Sequence, residues 1–445
     1  MNQLRGYSRR YSKNEVKKLV EIASFFLLSE ELIQNMANYH RERRRKKMLT
    51  AQTKVGKNIC LGLDYKKENL VELRRKEEFF CPICGESVLL KLGDQRIFHF
   101  AHKHGGACRD FYESESNYHM EGKRQLYQWL IRQKIPSDLE YYDRDIQQRP
   151  DIMFNYNGKK YALEYQCSTI PESIFIKRTN SYLQNGYIPL WILSSNKIII
   201  KKRNIVALSN FQYLFLRTAS SGKFYIPSYC SEKQQFQMFA SITPYSIKNA
   251  FANHSVYPIQ KMKLRDLLEP EMNNQLNLWN WNKEIEKFTL NWTLHPGTQH
   301  KSFLHEIYKN NLNLFLLPPE IGLPVPHSLI LQTPPIIWQT YLFLDIIASR
   351  SPNDLITLKE INFYLKKRIS RKEIVVRNLP QLEQVNPLLA IIDYLLLLER
   401  MGFITRKEET IFQLERKISI PKSNREKEEA KVLFFNKYLR ILPNK

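Results

Sequence analysis

Asp151 and Glu164 stand on either side of an Asn157-Gly158 turn in the run Arg149-Pro-Asp-Ile-Met-Phe-Asn-Tyr-Asn-Gly-Lys-Lys-Tyr-Ala-Leu-Glu-Tyr-Gln166. Asn-Gly between two alternating runs specifies a two-residue type I′ hairpin, so Tyr156 pairs with Lys159. Counting outward, Asp151 faces Glu164 and Arg149 faces Gln166. Opposed carboxylates in such a ladder lie roughly 5 Å apart and repel unless positive charge sits between them. A divalent cation, Mg2+ or Mn2+, supplies that charge, and the layout is then that of a metal-dependent nuclease centre. Alternation puts Ile152, Phe154, Tyr156, Tyr161, Leu163 and Tyr165 on an apolar face. Asp151, Asn155, Lys160, Glu164 and Gln166 fall on the other, so one face is expected to pack and one to work. The competing reading is an edge hairpin whose solvated acids are neutralised by Arg149 and Lys160.

Phosphodiester hydrolysis also needs a basic group, commonly two residues beyond the second acid, and that position holds Gln166. A glutamine orients water but neither carries charge nor takes a proton at neutral pH. Lys160, Lys123 or His119 then has to stand in. The helix expected over Ser116 to Lys134 has its apolar stripe at Leu126, Trp129 and Leu130, and helical spacing carries that stripe back to Lys123 and His119. These two are expected to point toward the carboxylates, or else to be a partly buried helix end; Glu121, with Gln125, Gln128 and Arg132, reads as solvated. Beyond the hairpin, Ser168 or Thr169 is expected to cap a helix with Pro171 in its first turn. Asn185-Gly186 closes it before a strand from Ile188 to Leu193, which makes a strand, helix, strand crossover. On that helix Arg178 and Tyr182 share a face, as a cation and a phenol suited to hold a phosphate or order the metal site, or as a surface stacking pair.

A second chemical signature is Cys81-Pro-Ile-Cys84-Gly85, followed by a strand from Ser87 to Lys91 and by His99-Phe-Ala-His102. The tight turn aims two thiolates at one point, the form of a structural zinc knuckle. His99 and His102 are the expected third and fourth ligands of Zn2+, which requires the strand to turn at Ala101; His104 and Cys108 are the substitutes. Buried free cysteines with core histidines give the competing reading. Cys60, Cys167 and Cys230 read as packing residues, and so few scattered cysteines suit a reducing interior.

The elements that must hold these groups belong to a folded chain of 445 residues with 43% apolar and 12% aromatic content. Its 68 Lys and Arg against 44 Asp and Glu leave +24, which points to a polyanionic partner, nucleic acid before anionic membrane. Residues 1–47 hold 12 of the basic and 5 of the acidic residues, so most of the excess belongs to the remaining chain. No apolar run reaches the ~20 residues of a membrane span, and no secretory signal is visible. Residues 1–47 read as a basic extension, a mobile arm with one amphipathic helix from Asn14 to Ala37. Residues 48–112 read as a small β unit with the zinc knuckle, residues 113–265 as a nuclease-like domain, and residues 266–445 as a mainly helical domain. In the last, Thr357–Lys367, Pro387–Met401, Phe403–Arg406 and Thr410–Leu414 read as helix, helix, strand, strand. That order fits a winged-helix-like DNA-binding module, and helix packing for a protein contact equally; Lys366, Arg368, Arg371 and Lys372 read as a solvated face.

The order helix, strand, Pro-Asp, hairpin, Glu-x-Gln, helix, strand resembles the PD-(D/E)XK nuclease superfamily. More closely, the chain resembles the competence protein CoiA family: Cys81-Pro-x-Cys84 with His99-Phe-Ala-His102, His119 and Lys123, Arg149-Pro-Asp151, Glu164-Tyr-Gln166-Cys-Ser168, Arg178-x-x-x-Tyr182 and Ile188-Pro-Leu-Trp-Ile-Leu193. The resemblance starts near Met48, a sufficient start of translation, and leaves residues 1–47 as an upstream extension. It implies a restriction-endonuclease-like α/β core, a mixed sheet flanked by helices, in a cytoplasmic factor. That factor helps convert incoming single-stranded transforming DNA into recombinants, beside recombination proteins. Two expectations follow: a metal-dependent deoxyribonuclease resting on Asp151 and Glu164, or a non-catalytic DNA-binding recombination mediator built on a nuclease-like platform, which Gln166 favours.

Overall fold

A computed structural model of the protein describes residues 47–94, 96–103, 115–271, 276–294, 298–382 and 385–439. The N-terminal extension with its expected helix, His104 and Cys108 lie outside the described residues. The chain divides into two compact units, Met1–Met120 and Glu121–Lys445.

In the first unit, β1 (Lys47–Met48), β2 (Thr50–Thr53), β3 (Asn58–Cys60), β4 (Phe79–Phe80), β5 (Ser87–Lys91) and β6 (His99–His102) form one antiparallel sheet. Its order is β1-β6-β5-β4-β2-β3, with helix α1 (Lys67–Lys76) between β3 and β4 in sequence. Met48, Leu49, Val88, Leu90 and Phe100 fill its small core, and the rings of Phe79 and Phe100 meet at 5.1 Å. The expected knuckle turn is present. Gly85 N–H donates to Cys81 O at 2.9 Å, Cys81 N–H donates to Glu86 O at 2.8 Å, and Gly85 takes the left-handed conformation, φ 72°, that glycine adopts without strain.

Helix α2 (Asn117–Arg132) leads into the second unit. There β7 (Ser137–Leu139), β8 (Ile152–Tyr156), β9 (Lys159–Gln166), β10 (Tyr187–Ser194), β11 (Ile199–Lys202), β12 (Ile205–Ala207), β13 (Arg217–Thr218), β14 (Phe224–Cys230), β15 (Gln235–Pro244) and β16 (Asn249–Pro258) build a ten-stranded mixed sheet. The order is β11-β12-β16-β15-β14-β10-β9-β8-β7, with β13 on β14. β10 runs parallel to both β9 and β14, and the link from β9 to β10 is the expected crossover through α3 (Glu172–Gln184). The expected hairpin register holds: Tyr156 pairs with Lys159, Phe154 with Tyr161 and Ile152 with Leu163. Asn157 and Gly158 both take positive φ, 49° and 73°, as a type I′ turn requires.

Four expectations need correction here. The hairpin does not divide into a packed face and a wet one: Ala162, Leu163, Glu164 and Tyr165 are all buried, because β9 lies inside the sheet. Tyr182 of α3 packs with Ala162 on one side, and α2 reaches the Tyr165 ring at Gly122 on the other. Gln125 is not solvated with Glu121; it is buried, accepts from Tyr229 Oη at 2.7 Å and donates to Glu121 at 2.8 Å, and Arg124 also holds Glu121. Neither Ser168 nor Thr169 caps α3; Pro171, whose missing N–H leaves nothing unsatisfied there, is the cap residue. Arg368 is buried, not a solvated side chain, and its guanidinium holds Glu306, Asp345 and Glu373.

The remainder is largely helical: α4 (Asn210–Tyr213), α5 (Leu264–Leu268), α6 (Leu278–Leu294), α7 (Thr298–Lys309), α8 (Pro335–Leu342), α9 (Leu358–Ser370), α10 (Leu388–Arg400) and α11 (Asn424–Tyr438). Strands β17 (Leu355–Thr357), β18 (Ile404–Glu408) and β19 (Ile411–Leu414) pair in the order β17-β19-β18, so the expected helix, helix, strand, strand order carries a third strand before it. α10 buries Ile391, Tyr394, Leu395 and Leu398, and its Asp393 binds His327. This half shares a core with the sheet: Tyr245 and Phe251 pack on Trp281. Among the described residues no helix is long and apolar enough to cross a membrane.

Candidate nuclease-like centre and thiolate–imidazole cluster

The β8–β9 hairpin supplies two carboxylates and its neighbours supply the charges around them. Asp151 sits just before β8, where Tyr165 N–H donates to its Oδ2 at 2.8 Å. That bond ties it to β9, beside Glu164. Lys123 of α2 lies 3.5 Å from Asp151 Oδ1 and 2.6 Å from Glu140 Oε1, with no exposed side-chain surface. Of the three candidates to replace a lysine at position 166, Lys123 lies against the acids. Lys160 is exposed, with its ammonium 5.7 Å from the Tyr187 ring centre. His119 occupies the first turn of α2, where its N–H donates to Ser116 Oγ at 3.1 Å.

Glu140 is the residue that sequence reasoning missed. It follows β7, whose register against β8 (Leu139 with Ile152) brings Glu140 to Asp151, and Glu140 N–H donates to Asp151 O at 2.9 Å. The carboxylate is 2% exposed on a left-handed backbone, φ 52°, a conformation that costs a non-glycine residue about 1 kcal/mol or more. Arg149, expected opposite Gln166, sits 3.8 Å from Glu140 Oε2. Only the β7 pairing reveals this acid, and Ser137-Asp-Leu139 is too short to announce a strand.

Glu164 is held by α3. Arg178 Nη2 and Tyr182 Oη both donate to its Oε1, and the two donors lie 3.3 Å apart. The Arg178 guanidinium also stands over the Trp191 ring, 5.2 Å from its centre. So Arg178 and Tyr182 order an acid; neither is an exposed stacking pair. Burial pushes Glu164 up to about 7, against the pull of Arg178 and with a smaller push from Asp151. Gln166, half-buried, turns away to donate to Ser168 O at 2.9 Å and Ser168 Oγ at 3.2 Å.

Oxygen donors of this kind suit Mg2+ or Mn2+. Both bonds to Glu164 converge on Oε1, which leaves Oε2 for a cation, and a buried carboxyl held near neutrality is one whose charge is under-compensated. Asp151 and Glu164 therefore fit such an ion. Glu140, Asp151 and Glu164 do not close into a three-ligand set within 4.8 Å among the described residues, however. Lys123 and Arg178 lie among them instead.

In the first unit the ligand atoms of Cys81, Cys84 and His102 fall within 4.8 Å of one another, and Cys84 Sγ is 3.4 Å from His102 Nε2. His99 does not join them. β6 runs unbroken from His99 to His102, and residues three apart on a strand point to opposite faces. His99 Nδ1 is bonded to Ile97 O at 2.9 Å, and burial lowers its proton affinity. None of the five described cysteines is in a disulfide.

A mixed sheet with a parallel crossover beside paired acids defines a nuclease-like domain. The chain belongs to the competence protein CoiA family: residues 63–111 match "Competence protein CoiA, N-terminal domain", residues 115–272 match "Competence protein CoiA, nuclease-like domain" and residues 276–427 match "Competence protein CoiA, C-terminal domain". It is 30% identical over 344 residues to the protein named Competence protein CoiA of Bacillus subtilis (strain 168), covering 76% of this chain and 90% of that one. No solved structure matches the chain.

Proposed function

We propose that this protein acts on incoming transforming DNA during competence, through a divalent-metal centre on Asp151 and Glu164 that cuts single-stranded or branched DNA. The observation that carries this reading is the fully buried Lys123 beside Asp151, because it supplies the cation that Gln166 cannot. A bound Mg2+ or Mn2+ supplies Lewis acidity to the phosphate and lowers the proton affinity of water. Asp151, fixed by Tyr165 N–H, and Glu164, fixed by Arg178 and Tyr182, hold that ion. Lys123 carries a proton at Nζ beside Asp151 and sets the charge of the centre from behind it, while Glu140 restrains it from pairing wholly with Asp151. Gln166, turned toward Ser168, takes no part in the centre. In the first unit Cys81, Cys84 and His102 hold Zn2+ as a structural ion.

A second reading has its own support. The three buried acids are matched by Lys123, Arg149 and Arg178, a set that is already neutral without a metal. In that reading the fold is a DNA-binding platform that hands a strand to recombination proteins. Purified protein given Mg2+ or Mn2+ and labelled single-stranded and branched DNA separates the two. Cleavage that Asp151→Ala abolishes, with binding retained, supports the nuclease. If wild type and Asp151→Ala behave alike on every substrate, and strains carrying them transform equally, the catalytic reading is lost. Elemental analysis of protein purified without chelator is expected to find one zinc per chain, lost in Cys84→Ser; metal-free protein removes the zinc assignment.

A further inference from the structure

Away from the acids, the second unit contains a cavity of about 350 Å3, within the size range of small-molecule sites, about 300–1,000 Å3. Strands β14, β15 and β16 form one wall and the segment Pro324–His327 forms the other. Its walls are mainly apolar and include the largely buried Phe224, Phe251 and Val325. Its polar side chains are Asn204, Asn253, Lys223 and His327, with the hydroxyls of Ser221, Ser241 and Thr243.

Two features mark it as more than a packing defect. β15 breaks register between Ala240 and Thr243, and Ser241 there takes φ 54°, a left-handed conformation that a serine adopts at a cost. Strain of this kind persists only where surrounding structure enforces it, and it concentrates at ligand sites. The bulge places Ser241, Ile242 and Thr243 in the lining. The second feature is His327. Asp393 Oδ2 accepts from both the His327 backbone N–H and Nδ1, each at 2.8 Å, and the ring stands edge-on to Phe224 at 5.4 Å. A carboxylate on Nδ1 fixes a proton there and orients the ring. Asp393 does not line the cavity, and His327 does.

Apolar walls with two phenyl rings, two amides, three hydroxyls, an oriented imidazole and one ammonium match a nucleobase joined to a phosphate. Lys201 and Arg203, exposed beside Asn204, and a net charge of +24 favour a polyanion over a neutral metabolite. We propose that this cavity receives one base of a single-stranded nucleic acid, with Lys223 taking an adjoining phosphate. The proposal rests on the DNA-handling reading above and not on cleavage.

Binding of a fluorescein-labelled deoxyoligonucleotide to the full chain, without added Mg2+ or Mn2+, tests it by anisotropy. Ser221→Trp fills the exposed mouth and Asn253→Asp sets a carboxylate against the strand; each is expected to weaken binding about tenfold, the scale of losing one stacked base. Lys223→Ala is expected to lower the slope of log affinity against log salt by about one. An oligonucleotide carrying 5-iododeoxyuridine is expected to photocrosslink to Phe224, Phe251 or His327. Wild-type affinity and slope in all three variants, or crosslinks only elsewhere, would overturn the proposal. So would equal competition by a free deoxynucleoside monophosphate, which assigns the cavity to a small metabolite. Tight binding that is still without cleavage once Mg2+ or Mn2+ is added sinks the nuclease reading alone, whereas no binding to any strand sinks both.

Discussion

Lys123 carries its charge into a place closed to solvent, which costs several kcal/mol, and Glu140 at 2.6 Å with Asp151 at 3.5 Å offsets that cost. The unequal distances matter. Glu140 takes the larger share of the ammonium and leaves Asp151 with charge to offer a metal. Glu140→Gln is therefore expected to draw Lys123 onto Asp151 and weaken Mn2+ binding by roughly tenfold, about 1.4 kcal/mol, read by calorimetry. Unchanged affinity would show that Glu140 only fills space. Glu164 gives a pH signature whose sign follows from its raised proton affinity. Its ordinary value is 4.5 and burial lifts it to about 7 in the fold, so between those values the folded state holds a proton that the unfolded chain has released. The stability it contributes is complete below pH 4.5 and lost as pH rises through 7. Metal binding needs the deprotonated form and so strengthens over the same interval. Urea denaturation from pH 5 to 8 is expected to show this fall in wild type and not in Glu164→Gln, while added Mn2+ stabilises wild type more at pH 8 than at pH 6.

At the scale of elements, α2 decides whether Lys123 arrives at all. Gly122 is where the helix meets β9: a Cβ there would lie 2.1 Å from Tyr165 Cε1 and 2.8 Å from Cδ1, and that ring is held by a bond to Tyr229 O at 3.1 Å. Gly122→Ala must push α2 off the sheet and is expected to cost about 1–3 kcal/mol despite the better helix propensity of alanine. Gly158→Ala, at φ 73° with open space around it, is the control and should cost only the backbone strain of about 1–2 kcal/mol. Thermal melts of both, with cleavage assayed beside them, check the argument: activity lost in Gly122→Ala at temperatures where it remains folded ties the helix position to the site. These elements also show what a sequence can disclose. The hairpin, the crossover and the inward stripe of α2 were legible because turn type and side-chain period are local properties. Glu140 was not, since its place depends on a three-residue strand pairing with β8. The burial of both faces of β9 was hidden for a related reason, because alternation along one strand says nothing about what two helices later cover. Arg368 read as surface because its partners Glu306 and Asp345 are distant in sequence.

For the whole molecule, the family's nuclease-like and C-terminal regions meet in one core, and this limits how the protein can be dissected. Trp281 is 2% exposed, donates to Gly322 O at 2.8 Å and packs 5.6 Å from Phe251 and 6.3 Å from Tyr245, both on the sheet side. Ile205 of β12 belongs to the same cluster. Arg377 adds a polar tie, donating to Leu329 O at 3.0 Å and Ile247 O at 3.2 Å while its guanidinium lies 3.9 Å from the Tyr213 ring centre. A chain ending at residue 271 would keep Asp151, Glu164, Lys123 and Glu140 but expose Tyr245, Phe251 and Ile205, a contiguous apolar surface of the kind that drives aggregation. That truncation is expected to be insoluble, and coexpression with residues 276–445 to rescue it. Trp281→Ala in the full chain is the milder version, with a loss of about 3–5 kcal/mol. Because the core is shared, the loss should appear as one transition that lowers the sheet and the helices together, followed through hydrogen exchange in β15 and β16 as well as in α6. Protection lost in α6 alone, with β15 and β16 unchanged, would mean that the sheet stands without its helical half and that the acid centre can be studied apart from it.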